Sequence, residues 1–291
     1  MQQELTRPSE KVPFSSEPTD SQEEVTGFAD LSKTVARLMG NLSDPASSGK
    51  SLSEQAYERL ESLIVNCRLA PGSAVTLQVL QDMTALGRTP VYEAVRRLAA
   101  DTLVTILPRS GLRIAPIDVE RERTLLPVRR SLERFTAQMA VRRATPEQRG
   151  RVKRLIREME DDRDGMSIDV FNQYDYVLDH LLLEACAEPL LNTTLRPLHT
   201  LFRRSGWMYL SHIETPQTLD QCITLHQSVL DTVASGNEEA AVRAMDRLID
   251  LSEAMFNDLQ KTVSPSLLDV EGKRQEEINE EAPWSFVGMG I

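Results

Sequence analysis

With 291 residues and 41% hydrophobic content, the chain is long enough for one large or two ordinary domains with proper cores. Its formal charge of −11 excludes a protein that coats nucleic acid or membrane by bulk electrostatics, so any polyanion binding must come from a local patch. Only residues 51–116 are net positive, with 7 Lys and Arg against 6 Asp and Glu.

Residues 1–49 are rich in Ser, Thr, Glu, Pro and Gln and read as a disordered tail, in which only FADLSKTVARLM at 28–39 has helical periodicity. The opening MQQELTRPSEKVPF lacks the basic start and apolar run of a secretory signal. No stretch approaches the roughly 18 apolar residues of a spanning helix. The expectation is a soluble cytoplasmic protein with no membrane partner. Cys67, Cys186 and Cys222 lie far apart in apolar helical patterns, without a C-x-x-C pair, and read as buried thiols.

From Ser51 the signals become dense. Ser51-Leu-Ser-Glu54 has the form of a capping box, and Leu52, Ala56, Leu60, Leu63 and Ile64 follow at helical spacing until RLAPGS breaks the chain. Thr76 caps a second, shorter helix with Leu77, Leu80 and Met83 on its apolar side, ending near Ala85-Leu86-Gly87. A third helix starts with Thr89 as N-cap, Pro90 at the first helical position and Glu93 in the first turn; Val91, Val95 and Leu98 mark its buried stripe. After Asp101 the period changes, and 103–107 and 112–115 read as two strands around Pro108-Arg109-Ser110-Gly111. Three helices followed by a hairpin predict a winged helix-turn-helix at 50–116.

Beyond it every periodic run is helical: 118–143, 147–164, 169–186, 189–211, 217–235 and 238–260. The fold expected is therefore mostly α, a winged helix-turn-helix followed by an all-α bundle of about six helices at 117–263. From Ser264 to the end the sequence reads as a polar, acidic tail, although Trp284 and Phe286 stand within it.

In a helix-turn-helix the second helix enters the major groove with its N-terminal residues at the base edges. Positions 89, 92, 93 and 96 share one face of the third helix, opposite Val91, Val95 and Leu98. Arg88, Thr89, Tyr92 and Arg96 are thus the candidate DNA readers, with Arg88 able to fork onto a guanine and Thr89 suited to a phosphate. Arg109, Gly111 and Arg113 would place the hairpin as a wing against the DNA backbone or minor groove.

Residues 51–117 resemble the DNA-binding domain of the GntR family of bacterial transcription regulators. The resemblance rests on R-L-A-P-G at 68–72, R-T-P-V at 88–91, E-A-V-R-R-L at 93–98 and the wing glycine Gly111. The following helical region is similar to the effector domain of the FadR-like branch, called FCD. The family usually has a serine where Gly87 stands, an arginine at Tyr92 and a glycine at Thr102. Tyr92 cannot make an arginine's forked contact, so the resemblance does not extend to the family's usual operator. Thr102 should perturb only the turn.

The resemblance also implies a pocket. Many members of this branch hold a divalent metal with one aspartate and three histidines. Here Asp175 matches the aspartate, Asp179 stands where the first histidine is expected, His226 matches the second, and Leu248 replaces the last. His180 points about 100° away around the helix. Asp175 and Asp179, four residues apart, bring like charges together unless a cation sits between them or one takes up a proton. Three readings follow: a site for a harder ion such as Mg²⁺, Ca²⁺ or Mn²⁺ on Asp175, Asp179 and His226; an effector pocket without metal; or a remodelled pocket with Asp179 salt-bridged. Arg129 matches an arginine that meets an effector carboxylate in related proteins, a pairing that suits a planar guanidinium. His199 and His212 match no family ligand and read as surface or satisfied core residues.

The resulting expectation is a homodimeric, ligand-responsive repressor or activator that binds a double-stranded DNA operator, and not an enzyme. The competing class is a metal-dependent or acid-base enzyme using Asp175, Asp179 and His226, with the winged helix as an accessory; no nucleophile motif, phosphate loop or cofactor fingerprint supports it.

Overall fold

The computed structural model describes residues 50–108, 111–213 and 216–270. The periodic piece at 28–39, Arg109, Trp284 and Phe286 fall outside them.

The chain enters through α1 (Leu52–Val65), where the Ser51 side chain accepts from the Glu54 backbone N–H at 3.1 Å. Only this half of the expected capping box forms. The Glu54 carboxylate instead pairs with Arg97 at 2.7 Å and Arg196 at 3.5 Å. A two-residue strand, β1 (Ala74–Val75), precedes α2 (Leu77–Thr84), which Thr76 caps as expected before Ala85 turns the chain left-handed at φ 52°.

The third helix, α3 (Arg88–Ala100), begins earlier than its Thr-Pro step suggests: Gly87 is the N-cap, with no side-chain cap bond. Thr89 is inside the helix, a correction to its reading as the cap. Pro90 is tolerated there because backbone N–H groups of the first turn have no intrahelical acceptor. Then β2 (Val104–Leu107) and β3 (Gly111–Ile114) pair antiparallel from Val104↔Ile114 to Leu107↔Gly111. β1 adds to the other edge of β3 through Ala74↔Arg113, giving the order β1-β3-β2. Tyr57, Leu60, Ile64, Val91, Leu98 and Leu103 are fully buried between helices and sheet.

Six long helices follow: α4 (Val119–Arg143), α5 (Pro146–Asp161), α6 (Ile168–Cys186), α7 (Pro189–His212), α8 (Pro216–Ser235) and α9 (Glu238–Thr262). Side-chain caps set several of their starts. Thr145 and Gln148 form a reciprocal box at 3.2 and 3.0 Å, Ser167 opens α6, and Asn237 opens α9. α4 packs along α9 and α6, and α5 along α8. The mostly-α architecture expected from the sequence is the one observed.

Past α9 the chain does not leave the body at once. A short α10 (Pro265–Leu268) lies against the winged helix: Ile117 N–H donates to Leu268 O at 2.9 Å and Val270 N–H to Pro71 O at 3.0 Å. The reading of a tail from Ser264 therefore does not hold for residues 264–270. Gly72 is required here on two grounds, a φ of 78° and a Cβ position that would fall on the Asp269 carboxylate.

The two parts of the molecule also meet through α1. Its buried Glu61 accepts from Thr200 of α7, and Asn172 of α6 donates to Asn66 Oδ1 at 3.0 Å. Arg97 and Arg196, from α3 and α7, both lie over the Tyr57 ring, at 4.2 and 4.3 Å from its centroid.

Candidate nucleic-acid interface and effector pocket

The two faces of α3 are chemically distinct. Val91, Ala94, Val95 and Leu98 are buried, while Arg88, Thr89, Tyr92, Glu93 and Arg96 are exposed. Tyr92 is a large ring left 50% exposed. Among the described residues neither Arg88 nor Arg96 has an ion-pair partner. Arg97, one position on, turns inward to Glu54 and Tyr57 and serves the fold. Glu93 is tied to Ser53. Two cations and a phenol thus project from the first turns of the helix, whose N-terminus itself favours anions.

The hairpin divides differently from expectation. Gly111 adopts φ 97°, and a Cβ there would come within 3.2 Å of the Val75 carbonyl, so glycine is needed to close the turn beside β1. Arg113 is not an outward wing cation. Its Nε donates to Gly72 O at 3.1 Å and its Nη2 to both Asp269 oxygens at 2.9 and 3.2 Å. Its reading as a DNA contact is corrected: the guanidinium fastens β3 to the segment after α9.

In the helical domain Asp175, Asp179, Arg129 and His226 do converge, but together with three further residues, Arg203, His199 and Glu133. A small cavity is bounded by Arg129, Phe171, Asp175, Arg203, His226 and Leu248. Arg203 of α7 stands between the two aspartates. Its Nε meets Asp175 at 3.2 Å and its Nη2 donates to Asp179. The cation demanded by the like charges on α6 is therefore a guanidinium. His226 Nδ1 donates to Cys222 O at 2.7 Å, which turns Nε2 toward Asp175 at 3.2 Å. His199 lies between Asp179 at 3.3 Å and Glu133 at 2.8 Å, and Glu133 also accepts from Arg129 Nε at 3.3 Å. The result is one buried chain of alternating charge running from His226 through Asp175, Arg203, Asp179 and His199 to Glu133 and Arg129.

Burial and pairing compete at each link. Burial opposes charge on His226 and His199, but Asp175 for the first, and Asp179 with Glu133 for the second, outweigh it and raise both pKa values. Burial would raise Asp175, yet Arg203 and His226 hold it well below the usual carboxylate range. Asp179 goes the other way. Burial pushes it to about 6, with Asp175 adding to the rise and His199 and Arg203 opposing it. Burial likewise lowers His180, off the chain and beside the Tyr176 ring, to about 4.

These residues do not fit the family's divalent metal. The guanidinium of Arg203 already bridges both carboxylates, His226 faces Asp175 in an ion pair, and position 248 contributes an isobutyl group. Among the described residues no group of three or more His, Cys, Asp or Glu has the geometry to hold an ion. The metal reading of Asp175, Asp179 and His226 is thus replaced by the salt-bridged one. Neither Arg203 nor Glu133 carries a local signal, since each is defined by partners on other helices. The arginine pair in LFRRSGW, polar residues within an apolar helical run, was the available hint.

Two known families match parts of the chain. The family described as "Bacterial regulatory proteins, gntR family" matches residues 52–114, and the FCD domain matches residues 124–251. The HTH-type transcriptional repressor RspR of Escherichia coli is 24% identical over 205 residues, covering 70% of this chain and 89% of that protein. The fatty acid metabolism regulator protein of Edwardsiella ictaluri is 26% identical over 237 residues, covering 74% and 94%. Among solved structures, E. coli McbR/YncC superposes with a TM-score of 0.65 at 16% identity, over 73% of this chain and all of that one. A GntR regulator from Rhodococcus sp. RHA1 does so at 0.55 and 18%, over 71% and 98%. No helix among the described residues is long and apolar enough to cross a membrane. The chain carries a gntR-family winged helix-turn-helix at residues 52–114 and an FCD domain at 124–251, the domain pair of a DNA-binding transcriptional regulator.

Proposed function

We propose that the chain works in the cytoplasm as a homodimer whose two α3 helices read the halves of a pseudo-palindromic operator, with Arg88, Thr89, Tyr92 and Arg96 as the contacts. The observation that carries this is the pair of exposed, unpartnered arginines flanking Tyr92 on α3. Arg88 specifies a base, and Arg96 and Thr89 hold phosphates. One reader of net charge near +1 makes few phosphate contacts, which favours two readers acting together. Val128 and Phe135, seven residues apart on one face of α4 and 51% and 47% exposed, offer an apolar strip to a second copy. Sedimentation of Phe135→Asp against the parent tests that strip.

The effector is a small carboxylate that enters the pocket against Arg129 and Arg203 without a metal. It competes with Asp175, Asp179 and Glu133 for guanidinium already in use. Ligand binding therefore rearranges the charged chain, and alters DNA affinity to the extent that the rearranged state differs in its placement of the reader. No catalytic role is assigned to Asp175, Asp179 or His226, because each is spent in an ion pair.

The test is fluorescence anisotropy of the purified protein on DNA from upstream of its own gene, with unrelated DNA as control, over several salt concentrations. Tight binding to the first alone, falling linearly in log salt, is the expected result. Equal and weak binding to both would remove α3 as a sequence reader. Candidate acids added with and without chelator then test the metal-free effector.

A further inference from the structure

A second cleft lies where the DNA reader meets the effector domain. In it α1 supplies Glu58, Glu61 and Val65 to one wall, and α6 supplies Asp169, Gln173 and Tyr176 to the other. Arg203 borders it from α7, so this side chain separates the cleft from the effector pocket.

The charged groups of the cleft are already partnered. Glu58 pairs with Lys50 at 2.6 Å, and Glu61 accepts from Thr200 and lies 3.8 Å from Arg196. Asp169 takes the Trp207 indole N–H at 2.7 Å and Arg68 at 3.4 Å, and Arg203 is held by the two aspartates. The neutral groups of the α6 wall differ. Gln173 is only 7% exposed, yet among the described residues both its amide nitrogen and its amide oxygen lack a partner, as does the buried Tyr176 hydroxyl. A buried polar group without a partner is costly, and three on one wall of one cleft are a concentration that packing alone does not explain. The two residues are three apart on α6, so their side chains share one face of the helix.

We infer that this interdomain cleft binds a small neutral molecule with a planar carboxamide or lactam edge, its donor and acceptor matched to the amide of Gln173 and its third hydrogen bond made by Tyr176. A neutral ligand is favoured because an ion would find its counter-charges taken. A planar one suits the apolar Val65 and the Tyr176 ring that line the space. Such a ligand touches both domains, so it would bias how the reader is set on the effector domain. Only that regulatory consequence rests on the DNA-binding reading proposed above; the binding itself does not.

Trp207 is a ready reporter, since its indole is bonded to the Asp169 carboxylate in the cleft. The chain has 2 tryptophans, so Trp284→Phe leaves Trp207 as the sole emitter. The full-length Trp284→Phe protein, without DNA, is titrated with benzamide, benzoate and benzylamine, and Trp207 emission is followed. The expected result is a saturable change with benzamide alone. Gln173→Leu should weaken it about tenfold or more and Tyr176→Phe by less, as befits the number of hydrogen bonds removed. Both variants are checked by helical circular dichroism, and Gln173→Leu should also unfold at a higher temperature. No saturable response to benzamide, equal or stronger binding of either ion, or unchanged affinity in Gln173→Leu would each overturn the inference. Anisotropy with operator DNA is a separate measurement, so failure of DNA binding leaves this result intact.

Discussion

Arginine is used in opposite ways in the two halves of the molecule. On α3, Arg88 and Arg96 stand in solvent without partners among the described residues; around the pocket of the helical domain, Arg129 and Arg203 are buried with a carboxylate on each. Exposed cations cost little to leave unpaired and remain available to a polyanion that brings its own charge. Buried cations must be matched inside the fold, so a ligand reaching them has to displace a partner. The reader is therefore built for binding by addition, and the pocket for binding by exchange. A pocket of the second kind is suited to switching.

The comparison is broken most sharply at Arg203. Replacing it with Leu leaves Asp175 and Asp179 facing each other in a buried site, a loss of about 3–5 kcal/mol of stability that urea denaturation would register. If the urea midpoint barely moves, the guanidinium is not the cation that holds the pocket together. On the reader, Arg88→Ala should cost about 1–3 kcal/mol of operator affinity and relax discrimination at one base, with protein stability unchanged. Arg96→Ala should weaken all sequences alike and lower the salt slope by about one, which anisotropy at several salt concentrations resolves.

The pocket also predicts a pH signature. His199 and His226 have folded pKa values raised above the ordinary 6.5. Their contribution is complete below about 6.5 and lost as pH rises through the folded values. Asp179, raised to about 6, acts with the same sign at lower pH, while Asp175, held low, loses its contribution as pH falls below about 3.8. Stability should thus decline from pH 6 toward pH 9, and His226→Gln should flatten that slope. A slope that His226→Gln leaves untouched would place the proton uptake elsewhere.

The smallest expected effect is at Thr102. This β-branched residue sits at φ 63°, between α3 and the wing, where only glycine is free of strain. Thr102→Gly should gain about 1 kcal/mol of thermal stability, less the hydrogen bond from Arg121 at 2.8 Å.

What the sequence revealed was largely local. Caps at Ser51 and Thr76 and the apolar stripes of the long helices are written within a few residues, and the elements they predict are present. The start of α3 was misplaced because Thr-Pro imitates a cap-and-first-residue pair, whereas Gly87 offers the same extended backbone with no side-chain signal. β1 is two residues long and exists only through β3. Arg113 and Arg203 were misjudged or missed for one reason: their partners lie 156 residues away in the first case and 24 to 28 in the second. Residue type at the pocket was legible at Asp175 and His226, but how each is used depends on an arginine from another helix.

The segment after α9 ties the reader to the order of synthesis. Pro71 O, Arg113 and Ile117 receive partners from Leu268, Asp269 and Val270, near the far end of the described chain. As the polypeptide leaves the ribosome, the winged helix emerges first and waits while the whole effector domain is made. At roughly 5–20 residues per second that interval is on the order of ten seconds or more. Until it ends, Arg113 lacks the Asp269 carboxylate and Pro71 O lacks the Val270 N–H. A fully buttressed reader thus belongs to a nascent chain that already carries its effector domain.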